Sequence, residues 1–301
     1  MRKYKKGILN TGYSWNCNAY DFNFIPIKTY SAKYLKGVEK AFTAIVDASL
    51  VYAVKLFNPY RGYMLNNVKI NNFPILSSKF QKIDKVFEKY KKNISNSNFN
   101  IFIGSDHAIT YKILSNFYID KKFSIMQFDA HSDFIDDYKN YPHGAVMKEC
   151  SKLDCVEKLF QVGLRANLNH GIAIPDSLSL GNIIVSRKTL EELDYSLNIK
   201  KQDLYLTIDI DFFDPSIAEA TNTMEPGGVK FNDAVKLFEN IIKNNNIIGI
   251  DIVEFNPKIK DNGKTANMLI NIIIYLINFL SQKNTVSAPF EYDDEKVEMI
   301  Y

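Results

Sequence analysis

Short apolar runs alternate along this chain with stretches whose apolar positions recur every three or four residues. The short runs predict strands, and because they are apolar at nearly every position they predict strands that are covered on both faces. Most of the runs end in a polar cluster. They lie at residues 99–103, 123–128, 159–162, 182–185, 204–208 and 247–253.

The stretches with helical spacing lie between and around these runs. Ser78 could cap one helix and Asn232 another, and residues 34–57 predict a third. The apolar segment 266–280 predicts a buried helix, since it is shorter than the ~20 residues that span a bilayer. Strands that alternate with helices predict an α/β fold with a mainly parallel sheet. In such sheets ligands bind at the carboxyl ends of the strands.

Composition narrows the class of protein. The 301 residues show no internal repeat or linker, which predicts a single α/β domain over residues 1–301. Hydrophobic residues make up 46% and charged residues 24%, as in soluble globular proteins. A net charge of +3 is too small to indicate a nucleic-acid partner, and three cysteines do not indicate a disulfide framework. The basic N-terminus lacks the apolar stretch of a signal peptide, so we expect a cytoplasmic protein with no membrane partner.

Two strand ends carry residues that can bind metal ions. Asp129, His131 and Asp133 are spaced by two, so an extended segment would turn all three side chains the same way. Asp209 and Asp211 repeat the pattern after another strand. Oxygen and imidazole ligands together suit Mn²⁺, and Zn²⁺, Co²⁺ or Ni²⁺ less well.

Each of these pieces has an ordinary structural interpretation when it stands alone. A single Asp-x-Asp is usually a loop or a cap, and a single histidine at a strand end is more often a hydrogen-bonded structural residue. Two carboxylates at the end of an apolar strand are different, because they repel each other unless a cation lies between them. Taken together, the pieces favour a metal site.

Four segments, in this order, resemble motifs of the arginase–agmatinase (ureohydrolase) family. Residues 104–107 (GSDH) resemble its GGDHS motif, and 128–133 (FDAHSD) its DAHxD motif. Residues 207–215 (TIDIDFFDP) resemble SxDxDxxDP, and 251–257 (DIVEFNP) resemble D-x-V-E-x-x-P. The resemblance covers roughly residues 107–280 and implies a three-layer α/β/α sandwich around a parallel sheet. The N-terminal part, about residues 1–95, departs from the family.

The resemblance also implies a ligand set for two divalent ions, most readily Mn²⁺. Asp129 and Asp209 would bridge them. One ion would be held by His107, Asp129, Asp133 and Asp209, and the other by Asp129, His131, Asp209 and Asp211.

The family reaction is hydrolysis of a guanidino group to urea and an amine, in which the ions activate water. By resemblance, Asp133 would accept and pass on a proton, and His143 would act as the proton shuttle. Glu254 would pair with the planar guanidinium, whose N–H groups match two carboxylate oxygens. Thr221 resembles a family threonine near the substrate.

The expected substrate is a small guanidino compound. The stretch between Asp133 and His143 is shorter than in arginases, and the turn at residues 225–228 (EPGG) resembles that of agmatinases. Both favour hydrolysis of agmatine to putrescine. Asp136 could meet the distal ammonium, although a solvated loop carboxylate is the ordinary alternative. Another guanidino compound, or an arginine side chain within a peptide, is a further alternative. Family resemblance implies a homo-oligomer, a trimer or hexamer.

Two other classes of function are compatible with the fold. One is a single-zinc deacetylase, against which the joint presence of His107, Asp133 and Asp211 argues. The other is a binding homologue without activity, which the loss of a ligand, of His143 or of Glu254 would have favoured. Metal analysis discriminates between them, because about two ions per chain are expected for the two-metal site.

Overall fold

A parallel sheet forms the centre of the molecule. The computed structural model describes residues 21–49, 57–58, 63–64, 70–95, 99–166 and 177–284. Within these residues nine strands form one sheet, in the order β4-β1-β6-β11-β10-β7-β8-β9 with β5 beside β1, and all of its pairings are parallel. The strands are β1 (Phe22–Lys28), β4 (Ile70–Asn72), β5 (Leu76–Ser77), β6 (Asn100–Ile103), β7 (Phe123–Phe128), β8 (Val156–Leu164), β9 (Ile183–Ser186), β10 (Asp203–Asp209) and β11 (Asn246–Val253). The short strands β2 (Phe57–Asn58) and β3 (Tyr63–Met64) pair separately and antiparallel.

Helices cover both faces of the sheet. They are α1 (Ala41–Ser49), α2 (Ile83–Ser95), α3 (Ile109–Phe117), α4 (Val146–Ser151), α5 (Arg187–Glu192), α6 (Phe231–Asn244) and α7 (Lys264–Asn284). Buried residues of α1, α5, α6 and α7 belong to one apolar cluster, and those of α2, α3 and α4 to another. Ile101 and Ile103 of β6 face the first cluster while Phe102 faces the second. The strands are therefore apolar throughout because both of their faces are buried, and the predicted three-layer α/β/α architecture is confirmed.

The six predicted strands all form, and β7 has the predicted bounds. The sequence did not predict β1, which lies between β4 and β6. Asn23 and Pro26 interrupt its apolar pattern. Asn23 is buried, and its side chain is joined by hydrogen bonds to Asn71 and Asn100 on the neighbouring strands. A row of paired amides thus takes the place that apolar side chains occupy in the other strands.

The helix predicted at residues 34–57 is wrong in its extent. Two 3₁₀ turns, Lys33–Leu35 and Val38–Lys40, precede α1, and Phe57 belongs to β2. Gly37 separates the two turns with a φ of 140°, which no helix contains. The proposed caps are also wrong: Lys79 and Lys230 occupy the positions before the 3₁₀ turn Phe80–Lys82 and α6, and neither makes a side-chain cap.

Helix α7 confirms the predicted buried helix but is longer than expected. Its 21 residues reach the length and composition of a membrane span, yet 78% of its apolar window is buried within the protein. Burial of this kind is typical of the core helix of a globular domain.

Candidate metal centre

The site lies at the carboxyl ends of four adjacent strands, β6, β11, β10 and β7. His107 follows β6, Asp129 follows β7, Asp209 ends β10 and Glu254 follows β11. Segments that are distant in sequence meet here because β10 and β11 lie between β6 and β7.

The first group of potential ligands surrounds His107. Its Nδ1 lies 3.1 Å from Asp129 Oδ2, 2.9 Å from Asp133 Oδ2 and 3.4 Å from Asp209 Oδ2. Potential ligand atoms of His107, Asp129 and Asp133 all lie within 4.8 Å of one another. One cation placed between these atoms can therefore contact all three residues after small movements of their side chains.

The second group surrounds His131. Its Nδ1 lies 2.9 Å from Asp211 Oδ2 and 3.6 Å from Asp129 Oδ1. Asp129 thus presents one oxygen to each histidine, which is the position of a carboxylate that bridges two ions. All six residues predicted as ligands lie together in this cluster.

The charges of the cluster fit a pair of divalent cations. Burial, followed by repulsion from Asp129, raises the pKa of Asp133 to about 6, and burial and then Asp211 raise that of Asp209 well above its usual range. Burial lowers the pKa of His131, but Asp211 and Asp129 outweigh it and raise the value to about 12. Carboxylates this crowded are stable as anions only beside positive charge, and the mixed nitrogen and oxygen donors suit Mn²⁺ or a similar ion.

A chain of hydrogen bonds orients the His107 ring. Its Nε2 lies 2.9 Å from Thr207 Oγ1, which donates to Asp251 Oδ1 at 2.5 Å, and the Tyr205 hydroxyl donates to Asp251 Oδ2. Buried partners of this kind fix a histidine ring and leave its other nitrogen for a metal ion.

Gln127, which the sequence interpretation passed over, supports Asp129. Its side-chain amide donates to Asp129 Oδ2 at 2.7 Å, and the Gln161 amide donates in turn to Gln127 Oε1 at 2.7 Å. Both glutamines are fully buried. The signal in the sequence was a polar residue inside each of two apolar runs.

A cavity of ≈ 380 Å³, including its open mouth, adjoins the cluster. Three residues with predicted catalytic roles, Asp133, His143 and Glu254, all line it. Its lining contains three carboxylates, two imidazoles and one tyrosine ring, and it contains neither lysine nor arginine in the part of the chain described. The lining residues are Leu35, His131, Asp133, Tyr141, His143, Gly144, Asp209, Thr223 and Glu254.

Glu254 is held rigidly at the base of this cavity. It has a left-handed φ of 64°, its backbone N–H donates to Ser105 O, and its Oε1 accepts from the His107 backbone N–H at 2.8 Å. Burial, and then Asp106, raise the pKa of Glu254 well above its usual range. A cation placed beside it would reverse this shift, so the site favours a positively charged ligand.

His143 begins the 3₁₀ turn His143–Ala145 and is buried. The Tyr141 ring packs against it, with ring centroids 4.1 Å apart. Gly144 allows this packing, since a Cβ at that position would lie 2.3 Å from a Tyr141 ring carbon.

The structure does not bring the other two predicted substrate contacts to the cavity. Thr221 is buried outside the lining, and Thr223, two residues on, lines the cavity instead and donates to Asp211 Oδ2 at 3.1 Å. Asp136 has a side chain that is 77% exposed and lies 3.4 Å from Lys148 Nζ. Thr223, rather than Thr221, is therefore the threonine that lines the cavity, and the Asp136 side chain lies in solvent.

Arg165 fixes the turn at residues 225–228 over the second ligand group. Its guanidinium donates to the carbonyl oxygens of Asp211, Glu225 and Pro226. Glu225 Oε1 lies 3.6 Å from His131 Nε2. The turn thus lies beside His131 of the second ligand group.

The chain is similar to proteins of known function. The model of a family described as the arginase family matches residues 21–278. An agmatinase of Blochmanniella floridana is 33% identical over 190 residues, which cover 60% of this chain and 60% of that protein. A mitochondrial arginase of Medicago truncatula is 29% identical over 172 residues, which cover 52% of this chain and 48% of that protein. The chain thus matches about half to three fifths of the length of these relatives.

Solved structures show the same fold at low sequence identity. Proclavaminate amidino hydrolase from Streptomyces clavuligerus superimposes with a TM-score of 0.82 at 18% identity, covering 93% of this chain and 98% of that one. Formimidoylglutamase from Bacillus subtilis gives a TM-score of 0.76 at 16% identity, with 95% of each chain covered. At these identities the similarity establishes the fold, while relatives with different substrates share it.

Proposed function

The chain belongs to the arginase family, and from that premise we propose that it is a two-metal hydrolase that converts a guanidino compound, agmatine in the first place, to urea and an amine. The observation that carries the proposal is the pair of ligand groups around His107 and His131, which share Asp129. A single-zinc deacetylase would not need the second group. A binding homologue without activity would not need Asp133, His143 and Glu254 around one cavity.

The predicted ligands are the residues that would hold the ions, for which we propose Mn²⁺. When bound, two such ions would lower the pKa of water enough to supply a nucleophile at neutral pH. The buried cluster excludes bulk water from the reacting centre, which strengthens every electrostatic interaction there.

The residues of the chain would orient the substrate and move the protons. Glu254, fixed by the His107 N–H, would accept hydrogen bonds from the guanidinium and keep its central carbon facing the ligand cluster. Asp133, which lies 2.9 Å from His107 Nδ1 and lines the cavity, would take up a proton and return it to the departing amine. His143 at the cavity wall would exchange that proton with solvent.

The lining of the cavity supports agmatine over substrates with an acidic tail. Arginine would bring a carboxylate against the cavity lining, which contains Leu35 and Tyr141 but no cationic side chain in the part of the chain that is described. The ammonium tail of agmatine would instead meet an aromatic face and a net negative site, both of which attract cations.

Urea release from a panel of substrates tests the proposal. We expect the Mn²⁺-loaded protein to release urea from agmatine at least ~10-fold faster than from arginine, 4-guanidinobutyrate or an arginine-containing peptide, since an uncompensated charge at a binding site costs at least ~1.4 kcal/mol. Faster release from another member of the panel would change the proposed substrate but would still support the proposed reaction. If none of the four yields urea while two ions are bound per chain, the proposed reaction is wrong.

A matched pair of variants distinguishes the loss of a carboxylate in the site from the loss of a carboxylate elsewhere in the protein. Asp133→Asn should lower urea release at least ~100-fold, because it removes the group that accepts the proton. Asp120→Asn, the same change at an exposed position, should leave the rate unaltered.

A further inference from the structure

Residues 31–37, here termed the cap segment, cover one side of the cavity. They lie in the N-terminal part where the sequence shows no motif of the family, although the family model matches the chain from residue 21 onward. The Ser31 backbone N–H donates to Asp106 Oδ2 at 2.5 Å, and Asp106 is fully buried next to the ligand His107. Leu35 is 1% exposed and lines the cavity. The cap segment is therefore anchored directly to the site.

The other end of the cap segment is equally constrained. Gly37 packs so closely on Asn256 that a Cβ there would lie 1.9 Å from Asn256 Oδ1. Asn256 follows Glu254 by two residues and is itself buried. The cap segment is thus held at one end beside His107 and at the other beside Glu254. The turn Lys33–Leu35 lies between these two contacts, which fix its position.

This position brings the Tyr34 hydroxyl to His143. The hydroxyl oxygen lies 3.2 Å from His143 Nε2, and the two rings meet edge to face with centroids 5.7 Å apart. Although Tyr34 is exposed as a whole, its hydroxyl end is partly buried against His143. This burial, and then Tyr141, raise the pKa of Tyr34, so the hydroxyl keeps its proton at neutral pH. It can donate to one tautomer of the imidazole or accept from the other.

We propose that Tyr34 is a positioning residue for His143: its hydroxyl holds Nε2 while the Tyr141 ring supports the imidazole face, so that the proton-carrying ring keeps one orientation at the cavity wall. The inference rests on the proposed function for the role of His143, but the contact itself is independent of any substrate. The Tyr34 side chain is 62% exposed, so its hydroxyl can be removed without opening a cavity in the core.

Tyr34→Phe removes the hydroxyl and keeps the ring, and Tyr30→Phe makes the same change just outside the cap segment. In the metal-loaded proteins, the rate at which diethyl pyrocarbonate modifies His143 can be followed by mass spectrometry of the peptide that contains it. We expect Tyr34→Phe to raise this rate about 3-fold or more, because Nε2 loses its hydrogen bond, and Tyr30→Phe to leave it unchanged. Equal rates in Tyr34→Phe and the unaltered protein would overturn the proposal.

Steady-state kinetics give a second, separable readout. Tyr34→Phe should lower kcat about 3- to 10-fold with KM changed less than ~2-fold, since a positioned proton carrier acts on the chemical step. A rise in KM with kcat intact would overturn the positioning role and make Tyr34 a substrate contact. If no guanidino compound yields urea, the proposed function fails, while the modification rate of His143 still decides whether Tyr34 holds the ring.

Discussion

At the residue scale, Gln127 is a neutral, buried side chain that contacts Asp129, the carboxylate shared by the two ligand groups. Its amide donates to Asp129 Oδ2, so it stabilises the ionised form of Asp129 and sets the direction of that oxygen. Burial raises the pKa of Asp129, but His107 and His131 outweigh burial and lower it below its usual range. Asp129 is thus the carboxylate that remains an anion when its neighbours take up protons.

We predict that Gln127→Leu weakens metal binding about 10-fold or more, which is the usual effect of removing a hydrogen-bond partner from a metal ligand. Titration of the chelated protein with Mn²⁺, followed by calorimetry, measures the affinity. Gln202→Leu is the control, because the Gln202 side-chain amide donates to the exposed Lys200 carbonyl oxygen, before the start of β10 and at the opposite end of that strand from Asp209. An unchanged affinity in Gln127→Leu would mean that Asp129 needs no such support.

The positions of single residues in the site could be predicted from the sequence to different extents. All six predicted ligands lie in the cluster, because each is a charged or imidazole side chain beside a buried strand, where structural explanations are few. Thr221 and Thr223 are two residues apart in a loop without regular spacing, so no periodicity could decide which one faces the cavity. The sequence around Asp136 does not distinguish a binding carboxylate from a solvated one, and only the exposure of its side chain does so.

At the element scale, the cap segment depends on one backbone conformation. Gly37 has a φ of 140° and leaves no room for a side chain against Asn256. The helical spacing of residues 34–57 concealed this break, because Leu35, Val38 and Phe42 keep a helical interval across it and are all buried. Local periodicity cannot reveal a break that a tertiary contact imposes.

Gly37→Ala should therefore lower the free energy of unfolding by more than about 2 kcal/mol, through both backbone strain and the clash with Asn256. Gly181→Ala is the matched control: Gly181 also has a positive φ, 76°, but a Cβ there would meet nothing within 4 Å, so only the strain of about 1 kcal/mol applies. Urea-induced unfolding of both variants measures the difference. Equal losses would show that the cap segment tolerates displacement from Asn256.

At the scale of the whole molecule, the order of the strands assembles the site. Strands β10 and β11 come late in the chain yet insert between β6 and β7, so motifs more than 100 residues apart share one edge of the sheet. The alternation of strands and helices predicts a parallel sheet but not this order, because the predicted strands are mostly apolar on both faces and pair equally well by pattern. The carboxyl ends of the strands indicated where ligands would bind. Which strand ends meet is determined by tertiary packing.

The density of buried charge at this edge gives the molecule a pH dependence that metal ions should remove. Burial and mutual repulsion raise the pKa of Asp133 to about 6, above its unfolded value of about 4, and they also raise the pKa of Asp209 well above its usual range. The metal-free folded state then binds more protons than the unfolded state, so its stability is greatest below about pH 4 for these groups and falls as the pH rises through their folded pKa values. The pKa of His131 is raised to about 12, so the folded state loses further stability as the pH rises above the unfolded pKa of about 6.5.

We predict that the melting temperature of the chelated protein falls between pH 5 and pH 8, while that of the Mn²⁺-saturated protein stays level or rises, because bound cations compensate the carboxylates and bind best to deprotonated ligands. Thermal unfolding at several pH values with chelator and with Mn²⁺ measures both curves. Asp133→Asn removes one titrating group, so its chelated form should show a shallower fall. Parallel curves with and without Mn²⁺ would mean that the buried carboxylates are compensated within the protein itself, and that the cluster does not need a cation to be stable.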